Sequence, residues 1–375
     1  MSLSRRRKIL FSLVPLLVVV LAWEGLARIL GKGSCQAPAP VTSDWREMKP
    51  DNDTIWSLVP DRPLDMGRAR AWVGPNGVRE REEPRGKTPR DRRILTLGDS
   101  SVFGWEVADG QTFQERLEGK LNTAFPQYTF DVVNLGVPGF STVQSLALMD
   151  RIGWRYAPDV VLEANLFSDC NIDVFQDAHA LALLNPDRSM LHRVLRGSRL
   201  YCSLFSTYAD WYAHRGQSRN RVLMPGVSGS TWVQERLNAY IERSRVPLDD
   251  YADNLEKLRL GCVQRKATMV LAILAQESDV GLWTVKHRPP PSEGEVLPWT
   301  PYRVAMTDFA ARNGLPLVSM PDAFAAAAQT TPPADLFLDA VHPSATGAEV
   351  MAQALFTFFG AHTDLLRVET RGERP

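Results

Sequence analysis

Short apolar runs alternate along this chain with longer segments whose apolar residues return every three or four positions. "RILTL" (93–97), "FDVVNLG" (130–136), "DVVLEA" (159–164), "ATMVLAIL" (267–274) and "LPLVSM" (315–320) have the length and branched side chains of buried strands. Between them, "TFQERLEGKLNTAF" sets Phe113, Leu117 and Leu121 on one helical face. "STVQSLALMDRIGWRY" opens on Ser141 or Thr142 as a cap, and "YRVAMTDFAARNG" and "SATGAEVMAQALFTFFG" close the series of helices. Strands alternating with helices predict a parallel sheet covered on both faces. Sheets of that kind bind ligands just past the carboxyl ends of their strands.

Three stretches break the alternation. From Ile9 to Trp23 every residue but Ser12 and Pro15 is apolar, and the helix can continue to Leu30 past Glu24, Gly25 and Arg28. A bilayer takes about 20 residues, and Arg5 to Lys8 precede the run, so residues 1–30 read as a single membrane anchor with the basic end in the cytoplasm. Glu24 and Arg28 lie four apart and can pair at its far end. A cleaved signal peptide is the alternative. Neither Ala37-Pro38-Ala39, followed by Pro40, nor Gly31-Lys32-Gly33 makes a good cleavage site, which favours the anchor. Residues 31–92 begin as a Gly/Pro/Ser linker and continue rich in Pro, Arg and Asp, with Trp45, Trp56 and Trp72. This predicts an irregular apron packed on the main domain by its aromatics. The main domain runs over 93–362, with a mostly helical insertion at about 171–250. There Tyr201, Phe205, Tyr208 and Trp211 form one helical stripe, which predicts core packing rather than a ligand surface.

Composition changes little in this picture. In 375 residues, 43 Lys and Arg balance 43 Asp and Glu, so no global field draws in nucleic acid. A hydrophobic content of 44% is enough for a full core. Cys35, Cys170, Cys202 and Cys262 show no zinc or CxxC spacing. They allow three disulfide pairings, or none, and the sequence does not choose.

The candidate chemistry starts where the first strand of the sheet stops, at "LGDSS". Gly98 suits a tight strand-to-helix turn, and Asp99 or Ser100 can cap the helix that follows. The same turn sets Ser100 at a helix N-terminus, where backbone N–H groups stabilise a developing oxyanion. Serine becomes a nucleophile when a base takes its proton, and histidine is the usual base. "FLDAVHPSATG" (337–347) supplies one: Asp339 stands three residues before His342, so a single loop turn brings carboxylate to imidazole. The other five histidines have no acid at this spacing in a comparable loop.

Strand-GDS near the start and DxxHP before the closing helix together resemble the SGNH, or GDSL-type, hydrolases, over about 88–170 and 265–360. The surroundings "GDSSVFGWEV" look like a bacterial membrane-tethered branch of that family. The resemblance implies a flavodoxin-like three-layer α/β/α sandwich, with Ser100 as nucleophile, His342 as base and Asp339 orienting it. It further implies that the Gly139 N–H of "NLGVPGFST" helps hold the oxyanion. The third block departs from the family pattern. G-x-N-D is expected, but the chain reads "ANLFSD", with Ser168 where the oxyanion-binding asparagine belongs and Leu166 in place of glycine. Ser168 is then the candidate donor, Asn165 its substitute, and Asn171 a loop residue. The activity implied is hydrolysis of an acyl or acetyl ester, of an envelope glycan or lipid, through an acyl-serine and with no metal or organic cofactor. O-acyl transfer from the same intermediate, or an inactive binding module, are the alternatives. The expected setting is extracytoplasmic, in the periplasm, tethered by the anchor.

Overall fold

In the computed structural model the described residues are 5–31, 35, 48–80, 86–171, 175–186, 189–215, 242–284 and 297–366; of these, the side chains of residues 5–13, 16, 210 and 212–215 are not described. The sheet is built from β5 (Asp91–Leu97), β6 (Thr129–Asn134), β7 (Val160–Glu163), β8 (Thr268–Ile273) and β9 (Leu317–Ser319). Its spatial order is β6-β5-β7-β8-β9, and every pairing is parallel. The five runs named from the sequence are these five strands, with ends that differ by up to two residues: β5 and β6 start earlier than their runs, while β7, β8 and β9 are shorter at both ends.

Helix α3 (Phe113–Ala124) packs with α12 (Ala345–Ala361) and, through it, α11 (Met320–Ala327). On the other side α4 (Thr142–Arg151) packs with α9 (Leu248–Arg265), which packs in turn with α10 (Thr300–Asn313). The result is a three-layer α/β/α sandwich. Its strands bury side chains on both faces: Ile94, Leu95, Leu97, Val160, Val161, Val270 and Leu271 are all sealed from solvent. This is why they read as unbroken apolar runs instead of alternating ones. The helices start where their caps dictate. Thr112 and Glu115 form a reciprocal capping box on α3, and Ser344 caps α12.

Strand order fixes where a ligand site can form. The first strand of the sheet, β5, lies between the second (β6) and the third (β7), so chain direction across the sheet reverses at the β5/β7 boundary. In open parallel sheets the crevice past that boundary is the binding position.

Residues 48–80 are more ordered than their composition predicts. β1 (Met48–Asp51) pairs with β2 (Ile55–Leu58), and β3 (Arg62–Asp65) with β4 (Arg70–Val73), making two antiparallel hairpins where an irregular apron was expected. Trp56 is buried and Trp72 partly exposed, while Trp45 lies outside the described residues. The insertion supplies α6 (Asp177–Leu184), α7 (Met190–Leu195) and α8 (Arg199–Arg215); residues 216–241 lie outside the described ones. The aromatic stripe on α8 splits. Tyr201 and Phe205 pack on His192, with centroids 5.4 and 4.9 Å away, whereas Tyr208 and Trp211 are exposed, so the expected core packing holds for only half of it.

At the N-terminus α1 (Arg5–Ile29) is one helix with Pro15 inside it. Among the described residues no helix is long and apolar enough to cross a membrane. The side chains of 5–13 and of residue 16, which include much of the apolar run, lie outside that description. Glu24 and Arg28 do pair, at 2.8 Å. Of the three possible cysteine pairings, Cys35 is joined to Cys202, while Cys170 and Cys262 are free thiols buried in the body.

Candidate active site

β5 ends at Leu97, and the chain turns at Gly98 into the single-turn helix α2 (Ser100–Phe103). A side chain at Gly98 would sit 2.3 Å from the Val102 methyl, so glycine allows the strand to feed so tightly into the helix. Asp99 caps the turn, its Oδ1 accepting from the Ser101 N–H at 2.9 Å. Ser100 is thereby fixed at the first helical position, at the β5/β7 crevice.

The second loop precedes α12. Phe337 bridges to Pro343, and the Leu338 N–H donates to the His342 carbonyl at 2.8 Å, so residues 337–343 close a tight loop. Inside it Asp339 Oδ1 accepts from the N–H groups of Val341 and His342 at 3.0 and 2.9 Å, and Oδ2 meets His342 Nδ1 at 2.7 Å. On the far side of the ring, His342 Nε2 lies 2.7 Å from Ser100 Oγ. Ser101 faces elsewhere, its hydroxyl donating to the Val341 carbonyl at 3.0 Å and tying the two loops together. Ser100, His342 and Asp339, separated by 242 and 3 residues, thus form one continuous relay. Partial burial works to raise the Asp339 carboxyl. The bond to His342, its charge and the two N–H donors outweigh that and hold it at about 2, so it stays an acceptor across the working pH range.

The loop after β6 brings in Gly139 at φ +77°, a backbone conformation that suits glycine, and any side chain there would meet the Trp56 ring at 3.1 Å. The N–H groups of Ser100 and Gly139 donate to no described residue. The third block is turned inward. Ser168, in the short helix α5 (Phe167–Cys170), donates to Asp99 Oδ2 through its N–H at 3.2 Å and its hydroxyl at 3.4 Å. Asn165 is fully buried. Its amide donates to the Phe140 carbonyl at 3.0 Å and accepts from the Ser145 hydroxyl at 2.7 Å. Asn171 is exposed, and its carbonyl accepts from the Arg245 N–H.

Two residues that the sequence did not assign to the site hold the Gly139 loop. Trp56, from the β1–β2 hairpin, donates its indole N–H to the Pro138 carbonyl at 3.2 Å and packs edge-on against Phe140. Arg245, where the insertion returns to the body, donates to the Gly139 carbonyl at 2.6 Å, to Gln144 at 2.7 Å and to both oxygens of buried Asp177 at 3.0 and 2.6 Å. Its guanidinium also lies over the Trp56 ring, 5.0 Å from the centroid. The abundance of tryptophan in the apron was a usable signal for Trp56. One arginine among many in a polar insertion gives no comparable sign that it will be buried. Trp105 stands near His342, with ring centroids 6.5 Å apart. Among the described residues no group of three or more His, Cys, Asp or Glu is arranged to hold a metal ion.

No protein-family model matches the chain, and no curated protein sequence matches it. Among solved structures it is similar to an acetylxylan esterase from Geobacillus stearothermophilus, at 17% identity and a TM-score of 0.44, over 73% of this chain and 97% of that one. It is also similar to an α/β hydrolase from the metagenome of Lake Arreo, Spain, at 17% identity and a TM-score of 0.43, over 73% of this chain and 96% of the other. A GDSL-like chain from Parabacteroides merdae is similar at 13% identity and a TM-score of 0.43, over 74% and 99%.

Proposed function

We propose that this protein is a serine esterase that transfers the acyl group of its substrate to Ser100 and then to water. The observation that carries the reading is the relay itself, Ser100 Oγ to His342 Nε2 and His342 Nδ1 to Asp339 Oδ2, both at 2.7 Å, placed at the crevice the strand order defines. Nε2 takes the Ser100 proton as Oγ attacks the ester carbonyl, forming a tetrahedral oxyanion. The imidazolium then gives that proton to the leaving alcohol oxygen. A water attacking the acyl-serine passes its proton to Nε2, and Ser100 takes it back as the acid leaves. Asp339, ionised throughout, keeps the Nδ1–H tautomer and stabilises the imidazolium.

The proposed oxyanion site uses the N–H groups of Ser100 and Gly139, with the dipoles of the turn behind Ser100. Ser168 is the third-block candidate; to donate, its hydroxyl leaves Asp99 while its own N–H keeps that carboxylate bonded. Asn165 then supports the loop from below through Phe140. An acetyl or short acyl ester on an envelope glycan or lipid is the proposed substrate, and the setting is outside the cytoplasm. Three features support that setting: the basic cluster before the apolar run, the exposed Val14, Leu17 to Leu21, Trp23, Leu26 and Ile29 on α1, and the Cys35–Cys202 disulfide. On this reading α1 is the membrane anchor.

A fluorophosphonate probe and an aryl acetate test the chemistry together. Ser100→Ala should lose both labelling and turnover, and Ser101→Ala should keep most of each, because the Ser101 hydroxyl bonds the Val341 carbonyl and not His342. Full labelling of Ser100→Ala would overturn the assignment.

A further inference from the structure

The insertion carries an apolar surface that the proposed chemistry does not use. α7 is pinned on α8 by one face: His192 is buried, its Nδ1 lies 3.0 Å from the Tyr201 hydroxyl, and its ring packs on Tyr201 and Phe205. The opposite face of α7 presents Met190, Leu191, Val194 and Leu195 to solvent, the first three more than three-fifths exposed. Beside it α8 presents Leu204, Tyr208 and Trp211, at steps of four and three residues and so on one stripe. Soluble proteins rarely leave so many large apolar side chains together in water.

Both helices are fastened to the end of α1. The Glu24 carboxylate accepts from the Ser198 hydroxyl and the Leu200 N–H at 2.8 Å and from the Arg199 N–H at 3.0 Å, so a residue of α1 caps α8. Arg28 reaches the Gly197 carbonyl at the α7–α8 turn, and the Cys35–Cys202 disulfide adds a covalent tie. The α7–α8 turn is therefore held at the end of α1, and α8 packs with α1. The charge on this unit is mainly positive. From Met190 to Arg215 the sequence has four arginines, Arg193, Arg196, Arg199 and Arg215, the first three exposed, against one acid, Asp210.

We infer that α7 and α8 form a platform that rests in the interfacial layer of an anionic lipid bilayer beside the point where α1 leaves it. The inference deepens the proposed function and rests on its reading of α1 as the anchor. Apolar and aromatic residues facing outward, with arginines at their margin, are the composition of helices lying in the headgroup region. A tyrosine and a tryptophan suit that layer because each has an apolar ring and a polar edge. The platform gives the body a second contact with the bilayer beside α1. With the platform seated it holds one orientation, since α8 also reaches α6 through Tyr208 and His179, 3.2 Å apart.

Spin labels on the full chain, in vesicles of phosphatidylethanolamine and phosphatidylglycerol, test this. Labels are introduced one at a time by Leu191→Cys, Trp211→Cys, Val18→Cys on α1 and Val263→Cys, an exposed position on α9. Collision rates with oxygen, which concentrates in lipid, and with a water-soluble nickel chelate then report depth. Labels at 191 and 211 should show an oxygen-to-nickel ratio several-fold above that at 263. In vesicles without phosphatidylglycerol, or in an Arg193→Gln, Arg196→Gln background, that ratio should fall. A lipid-immersed label at 18 with wet labels at 191 and 211 overturns the platform and leaves the anchor standing. Lipid-immersed labels at 191 and 211 with a wet label at 18 uphold the seating of α7 and α8 in lipid but overturn the anchor, and with it the placement beside α1. Labels at 191 and 211 shielded from both reagents mean that protein covers this face, which also overturns the inference.

Discussion

Arg245 shows how a buried charge can govern a site it never enters. Its guanidinium bonds the Gly139 carbonyl and lies over Trp56, which in turn bonds the Pro138 carbonyl of the peptide unit that carries the Gly139 N–H. Asp177 neutralises it and also accepts from the Ser141 hydroxyl at 2.6 Å, so the clamp reaches the start of α4. Removing one partner of a buried pair costs about 3–5 kcal/mol by stranding the other charge. The informative variant is therefore the double one, Arg245→Met with Asp177→Asn, which leaves no net charge buried. We expect it to fold and to lose up to about a hundredfold in kcat on an aryl acetate with little change in KM, the scale of loss for a displaced catalytic element. A folded double variant with unchanged kcat would show that the Gly139 loop holds its shape without the clamp. The sequence displays Ser100, His342, Asp339 and Gly139 because each sits in a short local pattern that its chemistry demands. Arg245 and Trp56 act across 106 and 82 residues, and no local pattern records such contacts.

At the scale of elements, the sheet was readable and the apron was not, for the same reason. Strands buried on both faces are mostly apolar, so β5 to β9 stand out as runs. The hairpins of residues 48–73 are four-residue strands; β2 is buried throughout, but β1, β3 and β4 have mixed burial and Pro, Asp and Arg content that reads as loop. Between sheet and helices lies a chain of buried acids, and one of them makes helix α4 sensitive to pH. Asp169, on α5, accepts from the Thr142 N–H at 3.0 and 3.2 Å and from its hydroxyl at 2.6 Å, capping α4 from another element. Complete burial pushes its carboxyl up. The Thr142 bonds and the Arg245 charge pull it back, Asp177 adds repulsion, and it settles at about 7. The folded state thus binds this proton more tightly than the unfolded chain, where the value is about 4. Its stabilising contribution is complete below the unfolded value and is lost as pH rises through about 7. Asp169→Asn keeps a polar cap but cannot ionise. The Tm advantage of the wild type over this variant should therefore shrink between about pH 5 and about pH 8, as thermal unfolding would show. An advantage that grows with pH would mean that Asp169 is held ionised and is stabilising in that form.

For the whole molecule, the disulfide separates two mechanical parts. Cys35–Cys202 closes 167 residues of sequence, yet it joins the end of α1 to α8 and touches no strand of the sheet. Cys170 and Cys262 are buried, and burial pushes their thiols well up, Cys262 to about 12, so both are poor partners for exchange. A bridge of this kind persists in an oxidising compartment and not in the cytoplasm, so topology and redox state must agree. A reporter fused after residue 44 should be active only as an extracytoplasmic protein. The intact chain, unfolded without reductant, should titrate as two thiols among its four cysteines. Reduction before unfolding should then expose all four, and should loosen α8 from α1 while turnover at Ser100 is largely kept, because the relay and its Arg245 clamp contain no sulfur. Four free thiols in the native chain together with a cytoplasmic reporter would overturn the extracytoplasmic setting. Loss of turnover on reduction would instead show that the α7–α8 unit is coupled to the site, through Asp177 at the start of α6.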